Sequence, residues 1–256
     1  MIRRPWAVGP MGLGQVEAFI RLVAAIANAD DLADAMAAIA ADLGFQYFAI
    51  IHHVDLTAAG ATAIRLHNYP PRWAEHYEKN GLGVSDPVHR ASHRTSIGFR
   101  WSRIPALIKL TPRDRQMLER GRVEGIGDGF TVPANVPGEA FGSCSFANEE
   151  GQPVADAMLP LAQLAGDYAF EAARHVWRVR EGSGAARLTD RQRDCVLWAA
   201  RGKTDWEISR ILDVSEETVI RHIKLARERY GVEKRTSLAI RALFDGTLSF
   251  ADILKH

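Results

Sequence analysis

Apolar residues recur at helical spacing twice near the start of the chain. The first series is Val16, Phe19, Ile20, Val23, Ile26 and Ala27, and the second is Leu32, Ala35, Met36, Ile39 and Leu43. This spacing predicts two amphipathic helices, the second capped by Asp30 or Asp31 and stopped by Gly44. Residues 45–53 then turn aromatic and β-branched, and residues 61–68 follow as a second run, with Gly60 marking the turn. A later pair of runs, residues 130–134 and 140–147, is joined through Asn135, Pro137 and Gly138. These are strand and hairpin signals. A closing helix over about residues 155–178 places Leu161, Leu164, Ala165, Tyr168 and Ala172 on one side, a side suited to the core or to a dimer seam. Helices, a hairpin, more helix, a second hairpin and a last helix predict an α+β domain, with an antiparallel sheet between helices in α-β-α layers.

The pattern breaks at residues 180–187, Arg-Glu-Gly-Ser-Gly-Ala-Ala-Arg, a small, polar, glycine-bearing stretch of the kind that links domains. The expected organisation is residues 1–177, a linker over 178–187, and residues 188–256. The last part reads as an all-α domain of four helices. Thr189 with Gln192, and Thr204 with Glu207, are capping boxes. Ser215 caps a third helix whose first turn carries Glu216 and Glu217, and Gly202, Gly231 and Gly246 mark helix ends. Only the stretch Leu212-Asp213-Val214-Ser215 separates the second helix from the third, as in a helix-turn-helix.

Composition narrows the class. The 256 residues are 47% hydrophobic and 25% charged, ordinary values for a globular chain, so collagen-like and disordered classes are excluded. The net charge of +1 excludes a global polycation but not a local basic patch. The two cysteines, Cys144 and Cys195, make no disulfide framework and no zinc spacing, and Cys144 reads as a small buried filler of its strand. No apolar run has the length of a membrane helix, and the glycine- and proline-bearing start (Pro5, Gly9, Pro10, Gly12, Gly14) is no signal peptide but a mobile leader. The expected location is the cytoplasm, with no membrane partner.

A basic patch does occur. Residues 219–235 hold Arg221, Lys224, Arg227, Arg229, Lys234 and Arg235 against Glu228 and Glu233, a local excess of four positive charges. Val219, Ile223, Ala226 and Tyr230 share one face of that helix. Glu217, Thr218, Arg221, Lys224, Leu225 and Glu228 share the other. After so short a turn, this is the layout of a recognition helix for the major groove of double-stranded DNA. The segments Leu188-Thr189, Gly202-Lys203-Thr204, Glu207-Ile208, Val214-Ser215-Glu216, Thr218-Val219, His222-Ile223 and Tyr230-Gly231-Val232 resemble LuxR-type helix-turn-helix domains over residues 188–240. The expected DNA contacts are Thr204, Glu217, Thr218, Arg221, His222, Lys224 and Arg227. A basic residue that the family often carries at Ile220 is displaced here to Arg221.

The first part needs its own reading. Asp30 and Asp31 follow a helical pattern rather than a buried strand, unlike a phosphorylated receiver, and no P-loop glycine-lysine run exists. Tyr69, Trp73 and Tyr77 lie four apart, on one helical face after the two prolines Pro70 and Pro71, and Asp86 precedes Pro87. Buried Tyr and Trp seek partners for their polar tips, and a buried carboxylate needs donors. The same residues also read as an aromatic core cluster with Asp86 capping a helix. The set Tyr69, Trp73, Asp86 and Trp101, with Ser145, resembles the sensor domain of acyl-homoserine-lactone receptors over residues 16–175. The resemblance implies that Trp73 donates to the lactone carbonyl and Tyr69 to the acyl carbonyl. It further implies that Asp86 accepts the ligand amide, Trp101 packs on the lactone ring and Ser145 assists at the acyl carbonyl. Tyr77, on the same aromatic face, is a further expected ligand-binding residue, and Gly129 has a structural role near the pocket.

His52 and His53 are strand neighbours facing opposite sides, and His89 and His93 lack the glutamate of a metalloprotease helix, so no metal site is expected. Ser143 and Ser145 lack a nucleophile-elbow context, and no nucleophile–base pair stands out, so no enzyme is expected. The resemblance implies a quorum-sensing transcriptional regulator without cofactor. It would bind an N-acyl- or N-aroyl-homoserine lactone and, as a homodimer, an inverted-repeat operator. RNA polymerase stands as a further candidate partner. The alternative is a regulator of the same type that senses another small molecule or none.

Overall fold

The computed structural model describes residues 12–54, 63–136, 140–153, 155–181, 188–244 and 246–254. The expected turns at Gly60 and at Pro137-Gly138, most of the leader and linker residues 182–187 lie outside them. The chain forms two compact units, with the change of unit between Gly182 and Ser183.

In the first unit, helices α1 (Leu13–Val23) and α2 (Ala29–Asp42) lead into strand β1 (Tyr47–His52). The cap of α2 is Asn28, whose side chain accepts from the Asp31 backbone N–H; Asp30 and Asp31 lie inside the first turn, where their charges oppose the helix dipole. Gly44 ends the helix at φ +86°, a left-handed conformation that glycine adopts without penalty. Strand β2 (Arg65–His67) pairs antiparallel with β1, and helices α3 (Pro71–Lys79) and α4 (Pro87–Ser92) follow. A two-residue strand β3 (Phe99–Arg100) comes next, then α5 (Ile104–Leu107), α6 (Pro112–Val123), β4 (Asp128–Ala134) and β5 (Gly142–Asn148). The long α7 (Leu159–Glu181) closes the unit and carries helix into residues 178–181, the start of the expected linker.

The five strands form one antiparallel sheet in the order β2-β1-β5-β4-β3. The β1–β5 pairing, from Tyr47 opposite Ala147 to His52 opposite Gly142, fuses the two hairpins. Strand alternation then sorts the side chains. Phe48 and Ile50 of β1, with Cys144 and Phe146 of β5, join α1, α2 and α7 in one buried core. Ala49, Ile51, Ser143 and Ser145 face the other side, toward a cavity under α3, α4 and α6. On α7 the core takes Ala162, Ala165, Ala169, Phe170, Ala173, Val176 and Trp177. Of the face expected from spacing, Leu161 and Leu164 are only half-buried and Tyr168 is exposed. The small alanines let α7 lie close on the sheet, so the apolar stripe that matters is the alanine one.

The second unit holds α8 (Asp190–Ala200), α9 (Asp205–Leu212), α10 (Glu216–Tyr230) and α11 (Arg235–Phe244), plus a short fifth helix α12 (Phe250–Leu254). Five residues are too few to show a helical period, so α12 escapes sequence reading. Both predicted capping boxes form, Ser215 accepts from the Thr218 N–H, and Gly231 takes the left-handed C-cap. Asp213 takes φ +53° between α9 and α10, where an Asp side chain tolerates the left-handed region. Ile208, Val219, Ile223, Ala226 and Leu238 form the unit's own core.

Candidate functional site

The polar face of the sheet floors a cavity of about 570 Å³. Tyr69, Trp73, Tyr77, Asp86, Trp101 and Ser145 all line it, so the structure brings the six residues singled out from sequence into one site. One detail differs. Tyr69 is not on the helix with Trp73 and Tyr77, because α3 starts at Pro71. Pro71 suits the first helical turn, whereas Pro70 holds the residue before it in extended backbone. Tyr69 still reaches the cavity, with its ring 6.2 Å from that of Tyr47 and stacked near His67 at 5.8 Å.

Asp86 is buried at the start of α4. One carboxylate oxygen accepts the Val88 N–H at 2.7 Å and the other accepts the Tyr77 hydroxyl at 2.8 Å. Asp86 is therefore a helix cap and a cavity carboxylate at once, and the two readings of it do not compete. Each oxygen keeps a further lone pair for a donor in the cavity. Burial, reinforced by the Asp86 charge, holds the Tyr69 and Tyr77 hydroxyls well above the ordinary phenol range, so both act as donors. Among the described residues, no hydrogen bond uses the Trp73 indole N–H or the Tyr69 hydroxyl. The cavity thus combines two donors that have no partner among the described residues with the buried carboxylate of Asp86; Glu78, Asp128, Glu149 and Glu150 also line it.

Trp101 and Ser145 are tied together. The Trp101 N–H donates to Thr131 Oγ1 at 2.8 Å, and that oxygen shares a 2.8 Å hydrogen bond with Ser145 Oγ. A Cβ on Gly129 would sit 2.7 Å from Trp101 Cε2 and 2.6 Å from the Phe146 carbonyl, so this glycine exists to let the indole lie flat on the strand.

Histidines that sequence reading set apart converge beside the cavity. His53 Nδ1 shares a 2.8 Å hydrogen bond with His93 Nε2, and His53 Nε2 shares one of 2.9 Å with Ser143 Oγ. His89 stacks on His53 with centroids 3.8 Å apart and donates from Nδ1 to the Gly83 carbonyl at 2.8 Å. Burial, with the neighbouring His89, His93 and His52, holds His53 well below the usual histidine range. Ser143 and His89 line the cavity. Contrary to the expectation from sequence, a hydroxyl and an imidazole do pair here, Ser143 with His53. The available signal was that Ser143 shares a strand face with Ser145; the meeting of β1 with α4 carried none. Among the described residues no group of three or more His, Cys, Asp or Glu is arranged to hold a metal ion. Cys144 lies in the core, its thiol pushed up by burial.

In the second unit, Glu217, Arg221 and Lys224 lie exposed on α10, with Lys224 Nζ 4.0 Å from Glu228. Ile220 and Leu225 are exposed beside them. Thr204 is exposed, but its hydroxyl serves the capping box with Glu207. The hydrogen bonds of that box, with Lys203, hold the Glu207 carboxyl down at about 2. Thr218 Oγ1 shares a 2.9 Å hydrogen bond with Ser215. His222 is half-buried. Arg227 is half-buried too and donates from Nη1 to the Glu233 carbonyl at 2.7 Å, which ties the end of α10 to the following turn. Arg235 pairs with Asp205 and donates to the Lys203 carbonyl at 2.6 Å. Arg227 and Arg235 of this basic stretch therefore hold the fold together.

Comparison with known proteins agrees with both units. Residues 28–173 match the autoinducer binding domain family, and residues 186–242 match the bacterial regulatory proteins of the luxR family. A putative HTH-type transcriptional regulator, y4qH of Sinorhizobium fredii, is 28% identical over 87% of this chain and 70% of its own length. The transcriptional activator protein LuxR of Aliivibrio fischeri is 26% identical over 87% of this chain and 90% of its own. Among solved structures, SdiA in complex with octanoyl-rac-glycerol aligns over 95% of this chain and 97% of its own, with a TM-score of 0.70 at 21% identity, a likeness of fold.

Proposed function

The chain belongs to the luxR family of bacterial transcriptional regulators and carries their autoinducer-binding domain, and from that premise we propose that it binds an N-acyl- or N-aroyl-homoserine lactone in the cavity and an inverted-repeat operator as a homodimer. The observation that carries the ligand reading is the composition of the cavity wall: two donors with no partner among the described residues, Trp73 N–H and Tyr69 O–H, in one cavity with the buried carboxylate of Asp86. A homoserine lactone offers the complement, two carbonyl oxygens and one amide N–H. Trp73 donates to the lactone carbonyl, Tyr69 to the acyl carbonyl, and Asp86 accepts the amide. Trp101 gives the lactone ring an apolar wall, and the Ser145–Thr131 pair supplies a further hydroxyl at the acyl carbonyl.

No bond of the ligand is broken in this reading. The free energy of binding is available to shift dimerisation or the affinity of the second unit for DNA. Arg221 and Lys224 meet the duplex, with Glu217 and Thr218 nearer the N-terminus of α10, the end that approaches base edges. Two-fold pairing doubles the short site that one such helix reads.

The test is titration of the purified protein by calorimetry with a panel of homoserine lactones and with an acyl glycerol. Saturable one-to-one binding of a lactone, with the lactone recovered intact, is the expected result. Tighter binding of the acyl glycerol than of every lactone overturns the lactone reading. Accumulation of ring-opened product overturns the reading without chemistry.

A further inference from the structure

The cavity has a second polar end that the lactone and its amide do not use. Ser143 and Ser145 point to the same side of β5, two residues apart, and cross-strand partners Ile51 and Ala49 point with them. Two residues along a strand span about 7 Å, or about five carbon–carbon bonds of an extended chain. With the acyl carbonyl at Ser145, the far part of the acyl group therefore lies against Ser143. An alkyl tail calls for an apolar wall there. Beside Ile51 and Val88, however, the wall there carries the Ser143 hydroxyl and the imidazole of His89, backed by His53 and, outermost, the exposed His93.

We propose that the Ser143–His53–His93 relay reads a hydrogen-bonding oxygen on the distal part of the acyl group, so that the ligand is an oxygen-bearing acyl- or aroyl-homoserine lactone rather than a plain alkyl one. This rests on the lactone reading above and adds the class of its acyl group. The relay has two proton arrangements. In one, Ser143 donates to His53 Nε2, His53 Nδ1–H donates to His93, and Ser143 offers the cavity only a lone pair. In the other, His93 Nε2–H donates to His53 Nδ1, His53 Nε2–H donates to Ser143, and the Ser143 O–H is free to donate into the cavity. A neutral His53 is what both arrangements require. His89 is fixed by its bond to Gly83, which leaves Nε2 as an acceptor on the cavity side, 3.9 Å from Asp86 Oδ2. A ligand hydroxyl can donate to His89 Nε2 or to Ser143, and a ligand carbonyl can accept from Ser143. An alkyl tail leaves the remaining hydrogen-bonding capacity of the Ser143 hydroxyl and of His89 Nε2 unused and shut off from water, a cost that penalises the wrong ligand more than the right one gains. Ser143 is the contact; His53 and His93 position it.

The experiment compares two lactones that differ by one oxygen, a hydroxyl replacing hydrogen five or six bonds beyond the acyl carbonyl. Wild-type protein is expected to bind the hydroxylated partner at least tenfold more tightly. Ser143→Ala should bring the two affinities to within about threefold, mainly by weakening the hydroxylated ligand. His53→Phe keeps a ring against His89 but removes the Ser143 partner, and should also cut the ratio. A purely structural role would lower both affinities together and leave the ratio intact. Equal affinities in wild type, or a ratio unmoved by Ser143→Ala, overturns this inference while leaving the lactone reading in place. Binding of neither ligand overturns both.

Discussion

At the scale of the residue, Asp86 is the most exacting test. Asp86→Asn keeps an N-cap for α4, since Asn caps as well as Asp, but it removes the charged acceptor for the ligand amide. Loss of a charge-assisted bond costs about 1.5–3 kcal/mol, which is roughly tenfold to over a hundredfold in lactone affinity. The melting temperature of the unliganded protein should fall only modestly, because the Asn carbonyl oxygen still accepts the Val88 N–H and its NH₂ can donate to the Tyr77 oxygen once that hydroxyl turns away. Unchanged lactone affinity in a folded Asp86→Asn protein would remove Asp86 from the ligand site. His53 gives a second test, through pH. Its proton affinity in the folded state is lowered by burial and by His89 and His93, and that of His93 is lowered by burial and by His89. The unfolded chain therefore binds more protons than the native one once the pH falls below the ordinary histidine value of about 6.5. The first unit should be fully stable above that pH and lose stability as the pH falls through and below it. Thermal melts between pH 7.5 and 5 should show this slope, and His53→Phe should flatten it.

At the scale of the element, α10 separates two kinds of basic residue. Lys224 and Arg221 are exposed on its outer face, whereas Arg227 is engaged with the Glu233 carbonyl. Lys224→Ala should weaken binding to all DNA sequences and lower the salt slope by about one phosphate contact. Arg221→Ala should change base preference at one position by about 1–3 kcal/mol if the contact is bidentate. Arg227→Ala should instead show itself as a lowered melting temperature of the second unit. A melting temperature that stays put with a reduced salt slope would return Arg227 to the DNA surface. The caps were legible in the sequence because a capping box is local, needing only Thr204 and Glu207 three residues apart. The role of Arg227 was not, because its partner lies beyond the helix end and charge alone does not say which way a long side chain turns. Tyr69 shows the same limit: its spacing from Trp73 matched a helix, and two prolines decided otherwise.

At the scale of the whole molecule, the two units have separate cores. Residues 188–256 alone should therefore fold, with a cooperative thermal transition. Dimerisation is proposed to come mainly from the first unit, so the fragment should sediment as a monomer and bind operator DNA more weakly than the full chain. A tight fragment dimer with full operator affinity would remove that role from the first unit.

The sequence by itself determined the two-part organisation, four of the five helices described in the second unit with their caps, the antiparallel hairpins, and six residues of the cavity wall. Each of these rests on short-range signals: a period of 2 or 3.6, a cap, or a motif at fixed spacing. Only the tertiary structure decided which face of β5 meets the cavity, that β1 and β5 pair to fuse the sheet, and that the alanine stripe of α7 meets the core. It alone placed His53 from the end of β1 against His89 and His93 from α4 and Ser143 from β5. These residues are far apart along the chain and carry no common motif. Their meeting follows from strand register and helix packing, which depend on the whole sheet and not on any local run of sequence.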